Sequence, residues 1–475
     1  MLIGKKALFS LRNSNIFINL YSVVKKMNVN VYLVGGGLRD LTEHSRWSDI
    51  DFAVENYCEE IAREFAHKSN GTFFSLGAEH KCYRVVVNEK DKIVELDFTP
   101  FRGVTIDDDL KKRDFTINAM ALSIAALFEE KAPEIIDLFC GVSDFKQGVL
   151  RLISDDAIDE DPLRMLRGFR LAAAFSLTID DKLLNLFGDK RALLKQVSPE
   201  RIRTELFKTL ASDSSTPYIK QMLYVNLLQQ IVPEIDSWTC QDEKDDLQLD
   251  LLTHSLKTLE YVESILQEEY SLFTAFAAEI NDHLSQQLEY GINRRSMLKF
   301  AAFLHDSGKP CSLRTEGSKL SFYGHDEEGA KINSDIAKRL KVGKSGRRVL
   351  SNITKHHMRV LHLSKVDSIT KRAMDRFVRD CGDETLEILL LALADTWATR
   401  DERKLEYTDV ERTIERLLER YFESKGEEVP QFLTGRDVMD LLGIEEGTEV
   451  GKYLDQLREE ELAGRVDSRE DAEKF

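Results

Sequence analysis

Two regimes of hydrophobic patterning divide the chain near residue 150. Before it, short runs rich in β-branched and aromatic residues end in glycine or charge: VYLVGG (31–36), DIDFAV (49–54), CYRVVV (82–87) and IVELDF (93–98). These read as strands. Between them EEIAREFAHKSN (59–70) carries apolar residues at helical spacing, so a small mixed α/β domain is predicted up to about residue 145. Beyond it, DPLRMLRGFRLAAAFS (161–176), SPERIRTELFKTLAS (198–212) and LLTHSLKTLEYVESILQEEY (251–270) repeat apolar residues every three or four positions. Helices are expected from there to the end. Ser198-Pro199 is a start signal, with Ser as cap and Pro at the first helical position. QDEKDDLQ (241–248) reads as a linker, and the final EKF as frayed. There is no clear internal repeat.

A chain of 475 residues, 42% hydrophobic and 31% charged, is expected to hold more than one globular domain. The N-terminus lacks a long apolar segment and no apolar run is long enough to span a bilayer, so neither a signal peptide nor membrane insertion is expected. The six cysteines stand singly, which fits reduced thiols in a cytoplasmic protein. A net charge of −17 argues against a general nucleic-acid coat. The charge is uneven: −2 over residues 1–210 and −15 over the rest. An RNA surface is therefore expected mainly in the first half.

The segment 34–52, VGGGLRDLTEHSRWSDIDF, carries the most specific chemistry. A glycine turn containing Gly35 and Gly36 leaves a strand and opens a helix, where backbone N–H groups can face a triphosphate. Asp49 and Asp51 follow on a strand. Alternate residues share a face, so both carboxylates can converge on a pair of Mg²⁺ ions. Asp-x-Asp alone is common; the order and the strand context make it informative. A third carboxylate is expected from IVELDF, where Glu95 and Asp97 share a face, and Glu95 is the choice made from sequence.

A second constellation lies in the helical half: His254, His305-Asp306, His325, His357 and Asp395. Imidazoles and carboxylates in this order suit a divalent metal. His356 beside His357 leaves that ligand open between the two.

The motifs VGGGLRD, SDIDF, LKKRDFTINAMA (110–121), EDPLRMLRGFR (160–170), SPERIRTEL (198–206) and LTGRDVMDLLGI (433–444) occur in series over nearly the whole chain. Together they resemble the bacterial and eukaryotic class of CCA-adding tRNA nucleotidyltransferases and the related poly(A) polymerases. The helical His/Asp series resembles the HD phosphohydrolases. The resemblance implies an α+β fold: a polymerase-beta-like mixed α/β nucleotidyltransferase head (1–145), a helical nucleotide-selecting and RNA-binding neck (146–240), a helical HD metal-binding domain (241–425) and a helical tail (426–475). It implies tRNA, CTP and ATP as partners, two Mg²⁺ ions at Asp49 and Asp51, and a divalent ion of open identity at the HD residues. Arg39, Arg113, Asp114 and Asn118 are assigned to ribose and triphosphate, with Arg167 and Arg170 for phosphate charge. Asp161 and Arg164, three apart at an expected helix start, would read the base by protein side chains. A carboxylate that accepts and a guanidinium that donates fit the edges of cytosine and adenine, and both would be left unpaired against uracil or guanine.

One departure bears on the product. In CCA-adding relatives a flexible loop precedes the LxxRDFTxNA helix, whereas here the connection TPFRGVTIDDDL (99–110) is short. Within the family such a deletion accompanies enzymes that add only CC and leave the terminal A to a separate A-adding enzyme. Three other readings stay open at this point: addition of the full CCA by this chain alone, a poly(A) polymerase, and an HD-type phosphohydrolase whose N-terminal half only binds RNA.

Overall fold

The computed structural model describes residues 5–43, 49–77, 81–89, 92–131, 133–240, 249–267, 273–316, 319–366, 368–400, 408–426, 432–462, 465–466 and 468–475. The expected linker QDEKDDLQ lies outside them. The chain divides into two compact units, one of residues 1–198 with 221–230, the other of 199–220 with 231–475. Among the described residues no helix is long and apolar enough to cross a membrane.

The first unit is built on a seven-stranded mixed sheet: β1 (Val31–Val34), β2 (Asp49–Val54), β3 (Thr72–Ser75), β4 (Tyr83–Glu89), β5 (Lys92–Pro100), β6 (Met120–Ser123) and β7 (Ile136–Asp137), in the order β3-β4-β5-β2-β1-β6-β7. Only β2 and β5 run parallel. The other pairs are antiparallel. Alternation places Ile50, Phe52, Val54, Leu96 and Phe98 on the core face. There the rings of Phe52 and Phe98 stack at 5.0 Å, and Phe65 from the helix Cys58–Lys68 joins them. The helix Asn15–Met27 buries Phe17, Leu20 and Val24 in the same core. The opposite parity therefore leaves Asp51, Glu95 and Asp97 on the other face.

The LKKRDFTINA helix of the relatives is not formed as one piece. A helix, Ile106–Lys111, is closed at its start by a Thr105/Asp108 capping box and stops at Lys112. The chain bends at Arg113 and Asp114, and Phe115 is extended and bridges Leu152 before a 3-10 turn over Thr116–Asn118 leads into β6. β-branched and aromatic residues at 115–117 disfavour continuing the helix.

The second unit is mostly helical. Among the described residues it departs from an all-helical expectation in three short antiparallel pairs: 239–240 with 249–250, 287–289 with 292–293, and 314–316 with 319–321. The first unit adds a short parallel pair, Val149–Leu150 with Thr178–Ile179. The helix Pro199–Leu210 starts where Ser198-Pro199 predicts. The C-terminus is a correction: residues 469–474 are helical, because the Ser468 hydroxyl accepts from Asp471 N and caps the turn.

Candidate active site and metal centre

In the first unit, Gly35 joins β1 to the helix Gly36–Glu43 with φ +70°. A Cβ there would lie 3.0 Å from Oδ2 of Asp51 and 3.4 Å from an Arg113 nitrogen. Glycine is thus required both by the left-handed backbone and by two site residues. Asp51 pairs with Val34 on one side and with Asp97 on the other. Asp49 opens β2 opposite Glu95, and its side chain lies outside the described part.

Sequence reasoning missed Arg84. It stands opposite Asp97 on β4 and grips that carboxylate with two bonds of 2.7 and 2.8 Å, while also pairing with Glu95. The fork geometry suits a bidentate carboxylate pair. Glu95 and Asp97 thus share one guanidinium, and Asp97 is the one in register with Asp51. The only sequence signal for Arg84 is a cation in an otherwise apolar strand.

Behind this carboxylate face, a polar chain links three motifs. Arg39 donates to the Asn118 side-chain oxygen at 2.8 Å and stacks 3.9 Å over Phe175. Asn118 donates to Asp114 at 3.1 Å, and Arg167 Nε lies 2.9 Å from the other Asp114 oxygen. Arg113 is buried and forks onto Asp109. Burial by itself pushes the Asp114 carboxyl up. Arg167, the Phe115 N–H, Asn118 and Arg164 outweigh it and hold it below the ordinary carboxylate range. The folded carboxyl therefore keeps its acceptor role as pH falls through that range, while its stabilising contribution, complete above that range, is lost progressively as pH falls toward its own lowered value. Arg170 is half-buried on the same helix as Arg167, Arg164–Phe175.

Asp161 and Arg164 do not share one helical face. Asp161 ends the short helix Ala157–Glu160, and its Oδ1 accepts from Leu163 N at 3.2 Å, an Asx-type turn. Arg164 is the first residue of the next helix, and its buried guanidinium donates to Ala157 O (3.0 Å), Glu160 (3.1 Å) and Lys112 O (2.9 Å). The turn at Pro162 separates what unbroken helical spacing would have put together.

In the second unit the six HD residues converge. His254 comes from the helix Leu251–Gln267, His305 and Asp306 from the end of Arg294–Leu304, His325 from the start of His325–Arg339, His357 from the end of Lys344–His356, and Asp395 from Thr385–Arg400. His357, not His356, faces the cluster: its Nε2 is 3.4 Å from that of His325 and 3.7 Å from Asp306. His254 Nε2 lies 3.0 Å from Asp395 and 3.2 Å from His305 Nε2. In His305, His325 and His357, Nδ1 meets the carbonyl three residues earlier, at 2.8, 2.8 and 2.6 Å. A carbonyl only accepts, so Nδ1 carries the proton and Nε2 is left as the ligand atom.

Gly308 makes this packing feasible. A Cβ there would sit 2.1 Å from His325 O. Asn333, fully buried, donates to Leu304 O and Thr354 and accepts from Ser307, tying together the segments that carry the ligands. Burial alone lowers the His254 imidazole, but the Asp306 and Asp395 carboxylates raise it to about 9. An ion taking His254 therefore displaces a proton. Asp395 is held below the usual range despite its burial, first through its bond to His254.

Comparison with known proteins places these sites in context. The Poly A polymerase head domain matches residues 31–151, the "Probable RNA and SrmB- binding site of polymerase A" matches 176–239, and the HD domain matches 251–399. The chain is 30% identical to the CC-adding tRNA nucleotidyltransferase of Geobacter sulfurreducens, over 96% of this chain and 93% of that one. It is 29% identical to the A-adding tRNA nucleotidyltransferase of Deinococcus radiodurans, over 93% and 94%. Among solved structures, a complex of CCA-adding enzyme with CTP aligns with TM-score 0.64 at 21% identity, covering 100% of this chain and 97% of that one. The Thermotoga maritima CCA-adding enzyme complexed with tRNA aligns with TM-score 0.59, covering 100% and 98%.

Proposed function

The chain belongs to the tRNA nucleotidyltransferase family, and from that premise we propose that it adds CMP residues from CTP to the 3′ end of tRNA and stops after CC. The observation that carries the transfer chemistry is the convergence of Gly35, Asp51 and Arg113 at one point, with Asp97 and Glu95 on the adjoining strand. Asp49 and Asp51 are the proposed ligands of two ions. Of the two β5 carboxylates, Glu95 stands in register with Asp49 and Asp97 with Asp51; Asp97, beside the ligand whose carboxylate meets the Gly35 turn, is the proposed third ligand. Heads of this kind use divalent metals, and an all-carboxylate donor set is suited to Mg²⁺. Bound there, such a pair of ions would activate the tRNA 3′-hydroxyl and stabilise the departing pyrophosphate.

The chain's own groups then bind and orient. The Gly35 turn and the first N–H groups of the following helix face the triphosphate. Arg39 and Arg113 supply positive charge beside it, and Arg167 and Arg170 extend that charge along the helix. Asp114, held ionised by Arg167, accepts from a ribose 2′-hydroxyl. Asp161 and Arg164 read the base. Arg164 must leave Glu160 and the Ala157 carbonyl to do so.

The stop after CC is supported by the compact link between β5 and the helix Ile106–Lys111. Residues 101–105 fold back on that helix: Arg102 N donates to Asp109 at 3.1 Å, and Arg102 NH1 to Lys112 O at 3.1 Å. A link tied down in this way offers no free lever to re-aim Arg164 from a pyrimidine to a purine. ATP addition then falls to a separate enzyme. The assay is incubation with tRNA lacking its 3′ end and each labelled nucleotide separately. CMP incorporation is expected. Incorporation of A without prior C would favour a poly(A) polymerase.

The four-part division into head, neck, HD domain and tail is part of this reading, as is a cytoplasmic setting. The second site is proposed as a metal-dependent phosphohydrolase acting on phosphoesters such as 2′,3′-cyclic phosphates at RNA ends. Hydrolysis there would form a P–O bond from water and break the bond to one ribose oxygen, which takes up the proton. Ligand atoms around an ion at about 2.1 Å lie roughly 3 Å apart, as several of these pairs do.

A further inference from the structure

We propose that Phe74, with Leu76 beside it, is the platform on which the base of the tRNA's 3′-terminal nucleotide stacks while its hydroxyl is brought to the carboxylates. The inference rests on the transferase reading and adds the residues that seat the acceptor end.

A single row of paired residues crosses the sheet of the first unit. Val34 on β1 pairs with Asp51 on β2, Asp51 with Asp97 on β5, Asp97 with Arg84 on β4, and Arg84 with Phe74 on β3. Residues paired directly across strands point to the same face, so Phe74 stands on the carboxylate face. Its neighbour Phe73 turns to the other face, where its ring stacks 5.8 Å from Tyr83 and lies 4.0 Å under Arg63. Leu76 follows two positions after Phe74, and its N–H donates to Cys82 O at 2.9 Å, so the hairpin continues and alternation returns Leu76 to the Phe74 side. Phe74 is 46% exposed and Leu76 47%, on the edge strand of the sheet. Two large apolar side chains are thus left bare at the end of a row that begins at the metal carboxylates. Ordinary strand spacing puts Phe74 about 10 Å from Asp97, within reach of the nucleotide whose hydroxyl lies there.

The geometry of the reaction fixes which reactant takes this side. The other side of Asp51 holds the Gly35 turn, the helix Gly36–Glu43 and Arg113, where the triphosphate is placed. In-line displacement puts the attacking and leaving oxygens on opposite sides of the transferred phosphorus. The 3′-hydroxyl therefore approaches from the side of β5, β4 and β3. Arg84 is engaged with Asp97 and Glu95 and holds those carboxylates in place, which makes it a positioning residue and leaves Phe74 as the next contact outward. A ring stacks on the face of any base without reading its edge. That tolerance suits an end that presents the discriminator base at the first addition and cytosine at the second.

The test is a cycle between protein and RNA. Wild type, Phe74→Ala and Phe74→Trp are assayed for the first CMP addition on tRNA ending at its discriminator nucleotide, and on the same tRNA whose last nucleotide lacks its base. Thermal melts check the fold. Phe74→Ala should lower kcat/KM for the intact tRNA by about 10-fold and leave KM for CTP within about twofold. Phe74→Trp, which keeps a ring, should stay within about twofold of wild type. The missing base should cost wild type about 10-fold as well and cost Phe74→Ala little more, because each change removes the same stack. An unchanged kcat/KM for tRNA in Phe74→Ala would overturn the platform and leave the transferase reading standing. Losses from ring and base that multiply independently would also overturn it. A rise in KM for CTP alone would place the incoming nucleotide on this side and do the same. No CMP addition by wild type would overturn the transferase reading and the platform with it.

Discussion

Gly35 and Asp51 are mutually constraining: the glycine has no room for a side chain because the Asp51 carboxylate occupies the space 3.0 Å from where a Cβ would be. Gly35→Ala should therefore do two things. The positive φ costs about 1–2 kcal/mol, a modest fall in melting temperature. Displacement of Asp51 should lower CMP addition by about 100-fold, since misplacing a catalytic group by about 1 Å has an effect of that order. Single-turnover rates and thermal melts read the two separately. Addition at the wild-type rate would break the link between the turn and the carboxylate.

The third carboxylate can be decided by paired substitutions. Asp97→Asn is expected to reduce addition by about 100-fold or more, and Glu95→Gln by less than about 10-fold, because only Asp97 stands opposite Asp51. The opposite ranking, measured as kcat at saturating CTP and Mg²⁺, would return the role to Glu95.

Arg164→Ala should affect both fold and selectivity. The guanidinium bonds two backbone carbonyls, so its loss should cost about 1–3 kcal/mol. It should also erode the preference for CTP over UTP by about 10-fold or more, visible as a ratio of kcat/KM values. A stability loss with selectivity intact would make Arg164 a purely structural residue.

Product length follows from the tied link at 101–105. With CTP and ATP both supplied, 3′-end sequencing should show two C residues and no terminal A. Grafting a loop of about 15 residues from a CCA-adding relative should restore some A addition. Efficient terminal A on the wild-type product would remove the CC-only reading and leave the transferase intact.

The HD site should be separable from transfer. Asp306→Ala is expected to abolish metal-dependent hydrolysis of a 2′,3′-cyclic phosphate and to leave CMP addition within about twofold. Equal hydrolysis by wild type and variant would assign that activity to a contaminant or another site.

The strands carrying Asp49, Asp51, Glu95 and Asp97 were legible because period-2 alternation and a glycine turn are local signals. So was the HD series, since each ligand sits in a recognisable helical stretch. Arg84 was not, because its meaning depends on the register of β4 with β5, which no local pattern specifies. The same holds for Asn333, a polar residue whose partners lie on three other segments. Asp161 and Arg164 misled for a different reason. Their spacing gives one shared face only on an unbroken helix, and the chain turns at Pro162 instead. The choice of His357 over His356 depended on where the helix Lys344–His356 ends, and helix ends are the least local feature of a helix.

The most direct measurement of the central claim compares wild type with Asp51→Asn on a tRNA ending at its discriminator base. Labelled CMP incorporation and tRNA affinity are measured side by side. The wild type should incorporate CMP; the variant should fall by at least about 1,000-fold with tRNA affinity unchanged within about twofold. Incorporation by Asp51→Asn at close to the wild-type rate would contradict the account.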